Sequence, residues 1–296
     1  MFIEIKDLYH VFNPDTPLEK EALSGVNLEI DKGEFIALVG ETGSGKTTLV
    51  LHLNGLLLPT RGSVRIDDFV MTPDTKKVGK LRDIVGIVFQ YPEHQLFEES
   101  VYDEISFGLR NRDKELTKED IEEMVKRTAR LVNLDIDSLG HRSPFSLSSG
   151  EQRKVAIASI LAVDPEILIF DEPTQGLDAE SKSEILKNIK ALNESGKTVI
   201  IISHDLEEAI GVSNRVVILK EGKTLFDVLS SELFSDLKYL KDIRHLLPDV
   251  TELLIRLKEK GWKINTNTYK ARDALSEILQ YLRKNPATTI NQAKKG

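Results

Sequence analysis

The amino-acid sequence contains no cysteine among its 296 residues. Disulfide bonds, thiolate zinc sites and cysteine nucleophiles are therefore excluded together, and the composition fits a reducing compartment. Long apolar runs are also missing, since none approaches the roughly 18 residues that a helix needs to span a bilayer. The richest run, residues 199–202, has the length of a strand. We therefore expect any role at a membrane to depend on a partner protein.

The sequence also has fewer basic than acidic side chains, 40 compared with 48, so the formal net charge is −8. A bulk electrostatic attraction to nucleic acid or to an anionic membrane is thereby excluded, and we expect no nucleic-acid partner. The first six residues alternate like a strand and lack the layout of a signal peptide, which favours a cytoplasmic location. The length and the 40% hydrophobic content are typical of one large soluble domain with a smaller appendage.

A glycine-rich loop lies between a predicted strand and a predicted helix near the N-terminus. Glycines let successive backbone N–H groups turn toward phosphate oxygens, and the start of the helix adds a partial positive charge. In such a loop Lys46 is predicted to reach the β- and γ-phosphates of a nucleotide, and Thr47 to offer its hydroxyl to Mg²⁺. We expect the nucleotide to contact the loop and the residue after it, namely Gly40, Glu41, Thr42, Gly43, Ser44, Gly45, Lys46, Thr47 and Thr48.

Three apolar segments separated by helical stretches predict buried parallel strands of an α/β sheet. These segments are residues 35–39, 167–170 and 198–202. Each is followed directly by polar residues, among them Asp171 and His204. Because ligands of open α/β sheets collect at the carboxyl ends of the strands, we expect these three ends to converge on one site.

Two other kinds of segment surround these strands. Alternating residues at 3–6, 26–30 and 63–66 predict an antiparallel edge sheet. Residues 98–162 are rich in helix formers and lie between two core strands, so we expect an inserted helical subdomain there. After a hairpin-like turn at residues 220–223, the pattern becomes helical again.

Two carboxylates, Asp171 and Glu172, leave the second apolar strand side by side. Adjacent residues of a strand point in opposite directions, so these two side chains are not expected to share one task. We assign Asp171 to Mg²⁺, which it would hold through the water shell together with Thr47, and Glu172 to the water that attacks the γ-phosphate. An acidic strand end that only meets solvent is the alternative, which the phosphate loop disfavours.

Residues 147–152 read Leu-Ser-Ser-Gly-Glu-Gln and open a helix that continues to residue 162. In the simpler interpretation, Ser148 only caps this helix by accepting hydrogen bonds from its free N–H groups. In the second interpretation, this helix end forms a second phosphate site from the hydroxyl of Ser148, the N–H groups near Gly150 and the helix dipole. The motif taken alone favours capping and leaves the second phosphate site open.

These motifs resemble those of the ATP-binding cassette ATPases in their order and approximate spacing, over about residues 1–225. The resemblance is carried by the phosphate loop, residues 147–152, residues 167–172, Gly176, Leu177, Asp178 and His204. The segment that starts at Leu147 is similar to the family signature Leu-Ser-Gly-Gly-Gln, from which Ser149 and Glu151 depart. We expect Ser149 to affect closure of the site rather than to abolish it.

The resemblance implies a P-loop NTPase fold with a RecA-like α/β core at residues 1–97 and 163–225. The antiparallel sheet lies at the edge of this core, the helical subdomain occupies residues 98–162, and residues 226–296 form a small C-terminal helical extension. It also implies that two cassettes pair head to tail with two ATP molecules between them. Ser148 and Gly150 of one chain then close over the nucleotide that the other chain holds.

The resemblance further implies roles for single residues. Gln90 is expected to contact Mg²⁺ and the attacking water, and His204 to contact the γ-phosphate, so both join Glu172 as catalytic residues. Phe12 falls where an aromatic ring stacks on adenine, and Asp178 where an acid of the cross-dimer loop lies. Each of Gln90, His204 and Phe12 has a purely structural alternative as a strand end or a core residue. The implied cofactors are ATP and Mg²⁺.

Residues 91–97, Tyr-Pro-Glu-His-Gln-Leu-Phe, and residues 100–108 resemble a segment of the ATPases of energy-coupling factor importers, which serve vitamins and cobalt or nickel ions. A proline-containing segment beside a helical lobe is suited to dock a partner helix, with packing on the lobe alone as the alternative. The tail resembles the extension of those ATPases, which lies between the paired ATPases. It includes a predicted helix at residues 250–258, which Gly261 ends.

By this resemblance the chain powers an importer built from two identical or similar ATPases, a transmembrane coupling protein and a membrane protein that captures the substrate. We expect the coupling protein to dock near residues 91–97 and the chain to lie at the cytoplasmic face of the cell membrane. An ATPase of a conventional ABC importer or exporter is the alternative with the same chemistry. A soluble ABC ATPase that acts on nucleic acid is the alternative from another class, which the acidic composition disfavours.

Overall fold

Strands and helices alternate along residues 2–112, 116–234 and 242–285, the part of the chain that the computed structural model describes. The strands are β1 (Ile3–Phe12), β2 (Lys20–Ile30), β3 (Phe35–Val39), β4 (Arg61–Ile66), β5 (Phe69–Met71), β6 (Val85–Val88), β7 (Ile167–Asp171), β8 (Thr198–Ser203), β9 (Arg215–Lys220) and β10 (Lys223–Leu229). The helices are α1 (Lys46–Leu53), α2 (Leu81–Ile84), α3 (Val101–Arg110), α4 (Lys118–Leu131), α5 (Ile136–Leu139), α6 (Ser149–Ala162), α7 (Ala179–Glu194), α8 (Leu206–Val212), α9 (Asp249–Glu259) and α10 (Ala271–Lys284). Short 3₁₀ helices lie at Pro92–Gln95, Pro144–Ser146 and Arg244–Leu246.

The central sheet has six strands in the order β10-β9-β3-β8-β7-β6. The three apolar strands predicted from the sequence are neighbours there, as β3, β8 and β7, and they run parallel to one another. Alternate side chains of β3 enter two different cores: Phe35, Ala37 and Val39 pack with the helical part, whereas Ile36 and Leu38 pack toward the antiparallel sheet. Because both faces of the sheet are covered, these strands are continuous hydrophobic runs in the sequence.

The antiparallel sheet predicted from alternating residues is present, with four strands in the order β2-β1-β4-β5. Strands β1 and β2 are longer than their alternating cores and span 10 and 11 residues. Strand β5 has only three residues, too few to show a periodic pattern, and it was not predicted. Helix α1 packs between this sheet and the central one through Leu49, Val50 and Leu53. The start of α1 is thereby fixed at the end of β3.

Helices α3 to α6 lie between β6 and β7 in the chain, where the sequence predicts a helical subdomain. Helix α6 lies at the centre of this group, with Val155 and Ala158 buried in the same core as Val101, Ile105 and Val125. The N-terminus of α6, with Ser148, is exposed to solvent. The helical part therefore presents the signature motif on its surface while the rest of α6 anchors it to the central sheet.

The segment after the turn at residues 220–223 differs from expectation. The helical pattern predicted directly after this turn is wrong for Lys223–Leu229, because these residues pair with β9 as β10 and form the edge of the central sheet. The predicted domain boundary at residue 225 falls inside this strand, and the division of the chain into domains stays a prediction.

Helices α9 and α10 follow as a small helical unit built around Leu254, Ile264 and Ala274. Trp262 stacks on Tyr281 there, with the ring centroids 4.3 Å apart. Gly261 has a φ of 88° just after α9 and ends that helix as predicted. Residues 235–241 and 286–296 of the predicted extension lie outside the described residues. No helix of the described ranges is both long and apolar enough to cross a membrane.

Candidate nucleotide site

The carboxyl ends of β3, β7 and β8 converge on one cavity of about 410 Å³, as the sequence predicts. Of the predicted site residues, the cavity is lined by Phe12, Thr42, Gly43, Gly45, Lys46, Thr47, Thr48, Gln90, Asp171, Glu172 and His204. The predicted residues that do not line it are Gly40, Glu41, Ser44, Ser148, Gly150 and Asp178. The folded chain therefore brings the phosphate loop and the strand ends together, and it leaves the signature motif outside.

Lys46 lies in the first turn of α1, and its ammonium group points back into the loop. Its Nζ donates hydrogen bonds to the carbonyl oxygens of Gly40, at 2.7 Å, and Glu41, at 2.9 Å. Burial lowers the pKa of Lys46, an effect that the nearby carboxylates of Glu172 and Asp171 oppose. The ammonium thus lies at the centre of the loop, where it can exchange carbonyl oxygens for phosphate oxygens.

Gly45 makes the transition from the loop to α1. Its φ is 104°, in the left-handed region, and a Cβ atom there would lie 2.7 Å from the carbonyl oxygen of Ala22. Only glycine fits such a position without strain. No side chain among the described residues caps α1, so its first N–H groups are free to bind an anion, assisted by the helix dipole.

Asp171 and Thr47 supply two oxygen atoms at the floor of the cavity. Thr47 Oγ1 donates a hydrogen bond of 3.1 Å to Asp171 Oδ2. Burial raises the pKa of Asp171, which is 6% exposed, and a bound cation would offset that desolvation. No three histidine, cysteine or acidic side chains of the described residues are grouped to hold a metal ion. The two hard oxygen donors of Thr47 and Asp171 fit Mg²⁺, which takes one or two protein oxygens and completes its shell with phosphate and water.

Glu172 follows Asp171 with a φ of 51°, a left-handed conformation that is uncommon for residues other than glycine. Its Oε2 lies 2.6 Å from Nδ1 of His204, and its backbone N–H donates to the carbonyl oxygen of Ile202. The two acids thus contact different partners, and their separate assignments to Mg²⁺ and to the attacking water stay predictions. Both nevertheless line the cavity, because the left-handed turn at Glu172 redirects the chain after β7.

Gln90 follows β6 and reaches the cavity, where its side-chain amide is hydrogen-bonded to that of Gln175. Gln175, Lys20 and Ala22 also line the cavity, and the sequence did not identify them. Gln175 lies on the loop after Glu172. The one feature of the sequence that could have identified it as a site residue is its polar side chain close to a strand end. Lys20 and Ala22 arrive from the antiparallel sheet, a contact that no local pattern predicts.

Phe12 borders the cavity at the end of β1, and a chain of histidines connects it to α1. Its ring meets His10 edge-on, with the centroids 4.4 Å apart. His10 Nδ1 lies 3.1 Å from His52 Nε2 and 3.2 Å from the carbonyl oxygen of Leu58, and His52 Nδ1 lies 2.7 Å from the carbonyl oxygen of Thr48. Burial lowers the pKa of His52 to about 4. Neutral His52 therefore donates its Nδ1 proton to the carbonyl oxygen of Thr48. In the hydrogen bond between the two rings, His10 donates through Nδ1 and His52 accepts at Nε2.

The signature motif forms a complete helix cap on the exposed end of α6. Ser148 Oγ accepts from the N–H of Glu151, and the Glu151 carboxylate accepts from the N–H and the hydroxyl of Ser148, at 2.9 and 2.7 Å. A Cβ atom added to Gly150 would meet open space. Asp178 caps α7 by accepting from the N–H groups of Glu180 and Ser181. Capping by Ser148 is thus confirmed, and its role as a second phosphate site stays a prediction.

The fold is that of an ATP-binding cassette ATPase, and residues 23–175 match the ABC transporter family. A solved structure described as a dimeric, post-hydrolysis state of the ATP-binding cassette MJ0796 bound to ADP and Pi is 29% identical, with a TM-score of 0.68. The match covers 77% of this chain and 98% of that one. The structure of cbiO1 from Clostridium perfringens, part of the ABC transporter complex cbiONQ, is 32% identical, with a TM-score of 0.71 over 86% and 98% of the chains.

Two curated relatives extend the likeness over nearly the whole chain. The energy-coupling factor transporter ATP-binding protein EcfA2 of Clostridium tetani is 44% identical over 95% of this chain and 97% of its own length. The protein of the same name from Clostridium perfringens is 41% identical over 96% of this chain and 100% of its own length. The chain therefore belongs to the ABC transporter family and, within it, to the ATP-binding subunits of energy-coupling factor transporters.

Proposed function

We propose that this chain is one of two ATPases that power an energy-coupling factor importer of vitamins or transition-metal ions, at the cytoplasmic face of the cell membrane. The observation that carries the proposal is the convergence of Lys46, Thr47, Asp171, Glu172 and His204 on one cavity. The full-length likeness to relatives named for energy-coupling factor transporters supports the choice of transporter.

The proposed residue roles follow from the contacts around the cavity. Thr47 and Asp171, with Gln90, would hold Mg²⁺, which neutralises phosphate charge when it is bound with the nucleotide. Glu172 takes the proton of the attacking water, and its hydrogen bond to His204 keeps the carboxylate in place beside the γ-phosphate that His204 contacts. Phe12 stacks on adenine at the outer edge of the cavity.

The loop backbone from Gly40 to Thr48 surrounds the phosphates, and the Lys46 ammonium moves from loop carbonyls to the β- and γ-phosphate oxygens. This exchange replaces neutral acceptors with charged ones, which strengthens each hydrogen bond. ATP binding therefore tightens the loop around the triphosphate.

Pairing of two cassettes explains why part of the predicted site lies elsewhere on the chain. Ser148, Gly150 and Asp178 are exposed and do not line the cavity, so the nucleotide of a second ATPase, identical or similar to this one, could reach them. The extension exposes Leu253, Leu275 and Leu279, an apolar surface that fits a contact with that second ATPase.

A large groove lies beside the segment predicted to dock the membrane partner. It has a volume of about 1010 Å³ and is bordered by Gln95, Leu96 and Phe97 on one side and by α3 on another. Phe97 is 59% exposed and meets Phe107 edge-on, with ring centroids 4.9 Å apart. A helix of the transmembrane coupling protein would find aromatic anchors there, and the substrate-capture protein would act through that partner.

Replacing Glu172 by Gln tests the proposed chemistry. Glu172→Gln removes the proton acceptor while it keeps the size of the side chain, so we expect ATP hydrolysis to fall at least about 100-fold. ATP should still bind and hold the chains as dimers, which size-exclusion chromatography with ATP can detect. Glu166→Gln is the matched control, because Glu166 immediately precedes β7, far from the cavity end of that strand, and forms a surface pair with Lys32.

Two results would contradict the proposal. Hydrolysis that largely survives in Glu172→Gln would reject Glu172 as the base. A strictly monomeric preparation that hydrolyses ATP at a rate per molecule independent of dilution would reject the shared site. Purification from membranes tests the transporter type, since a coupling protein with a small substrate-capture protein supports the proposal and two permeases support a conventional importer.

A further inference from the structure

Arg153 on α6 joins three segments that the proposed function uses separately. Its Nε and Nη2 donate to the two carboxylate oxygens of Glu93, both at 3.1 Å, so the pair has two parallel hydrogen bonds. Its Nη1 lies 3.5 Å from the carbonyl oxygen of Pro173 and 3.3 Å from that of Gln175. One guanidinium thus contacts the helix of the signature motif, the proposed docking segment and the loop that follows Glu172.

The chemistry of this contact requires arginine. The side chains of Arg153 and Glu93 are only 7% and 12% exposed, so the pair is shielded from water and from salt. A guanidinium can donate to a carboxylate along one edge and to carbonyl oxygens from its remaining nitrogen, whereas an ammonium is a single point donor. The three segments are therefore held in one fixed arrangement by a rigid, planar group.

The contacts continue at both ends of this connection. Glu93 belongs to the 3₁₀ helix Pro92–Gln95, whose last residue borders the proposed docking groove. At the other end, the Gln175 side chain is hydrogen-bonded to that of Gln90 inside the nucleotide cavity. These contacts thus connect the docking segment, through Arg153, to the loop that borders the nucleotide cavity.

We propose that Arg153 is a positioning residue that couples the membrane partner to ATP hydrolysis, through Glu93 on one side and the carbonyl oxygens of Pro173 and Gln175 on the other. This inference rests on the proposed function, since it requires a partner that docks near residues 91–97. Arg153 does not line the nucleotide cavity, and it acts through the residues it contacts.

The test compares ATP hydrolysis by the isolated chain with hydrolysis by the complete complex purified from membranes. The coupling ratio is kcat of the complex divided by kcat of the isolated chain, and KM for ATP is measured in both. Arg153→Glu should change this coupling ratio by a factor of about 2 to 30 in the direction of one, while KM for ATP changes little. Arg153→Lys, which keeps the charge and the fold, should shift the ratio in the same direction.

A charge swap separates coupling from simple stability. Arg153→Glu combined with Glu93→Arg restores an ion pair, but a carboxylate at position 153 cannot donate to the carbonyl oxygens of Pro173 and Gln175. We therefore expect the double variant to regain thermal stability without regaining the coupling ratio. Lys154→Glu is the matched control, because the next residue of α6 pairs with Glu184 and contacts neither segment.

The proposal is overturned if both Arg153 variants keep the wild-type coupling ratio, if the swap restores it fully, or if the ratio of the wild-type complex is already one. Failure of the proposed function gives a different result. In that case the wild-type chain would purify from membranes without a coupling protein, whatever residue stands at position 153.

Discussion

The buried pair of His10 and His52 makes the stability of the fold depend on pH in a defined direction. His52 is 0% exposed, and burial lowers its pKa from 6.5 to about 4. The folded protein therefore holds neutral His52 at a pH where the unfolded chain already binds a proton. Unfolding takes up that proton, so the free energy of unfolding must fall as the pH drops from about 6.5 toward 4.

The size of the effect follows from the pKa difference. A shift of about 2.5 units corresponds to about 3.4 kcal/mol once the pH is well below 4, because one unit is about 1.36 kcal/mol. At about pH 5 the folded protein has lost about 2 kcal/mol of this contribution, a large part of the stability of an ordinary domain. Urea unfolding followed by far-ultraviolet circular dichroism at several pH values measures it. Fluorescence of Trp262 would instead report the C-terminal helical unit.

The variant His52→Gln isolates the contribution of this one residue. Glutamine keeps a polar side chain of similar length but does not titrate, so subtracting its pH profile from that of the wild type removes the titrating groups that do not contact His52. We expect the wild type to lose about 2 kcal/mol more than the variant between neutral pH and about pH 5. Parallel profiles would refute the claim that His52 is held neutral, whatever the stability of the variant at neutral pH.

Two further predictions concern the edge of the sheet and the phosphate loop. Arg215 on β9 makes two hydrogen bonds of 2.6 Å to Asp227 on β10. Arg215→Met should therefore lower the free energy of unfolding by about 2 kcal/mol. Loss of the charge of Lys126, which is exposed, should change this free energy hardly at all. Urea titrations measure both, and equal effects would contradict the estimate. Gly45→Ala should weaken ATP binding at least about tenfold more than Gly43→Ala, because of these two glycines only Gly45 would place a Cβ against backbone. Calorimetric titration with ATP decides this, and equal affinities would contradict it.

The parts of the fold that the sequence predicts are those whose physical cause is local. The strand Phe35–Val39 is apolar because both of its faces are buried, and that requirement is visible in five adjacent residues. Gly45 and Lys46 belong to one loop whose conformation and chemistry are set within a few positions. The strand–loop–helix order therefore predicts a phosphate site from local sequence alone.

The features that the sequence did not reveal depend on contacts between distant residues. Strand β10 exists because β9 lies beside it, although its own residues continue a polar and apolar mixture that fits a helix equally well. Arg153 and Glu93 are 60 positions apart, and His10 and His52 are 42 apart. The surroundings of Glu172 impose its left-handed backbone conformation, which the conformational preference of glutamate does not predict. Contacts between residues this far apart in the chain produce no periodic pattern in a single sequence.

In the proposed dimer, the capped end of α6 would make closure over nucleotide both specific and reversible. The hydroxyl and the N–H of Ser148 already donate to the Glu151 carboxylate, and these hydrogen bonds lower the pKa of Glu151, so an anion occupies the helix end before any phosphate arrives. In the proposed dimer, a γ-phosphate would compete with this carboxylate for the same donors. The gain on closure is then the difference between two anion contacts rather than the full value of one. In that dimer, such a balance would favour closure only while the γ-phosphate is attached, which is the condition that a hydrolysis-driven cycle requires.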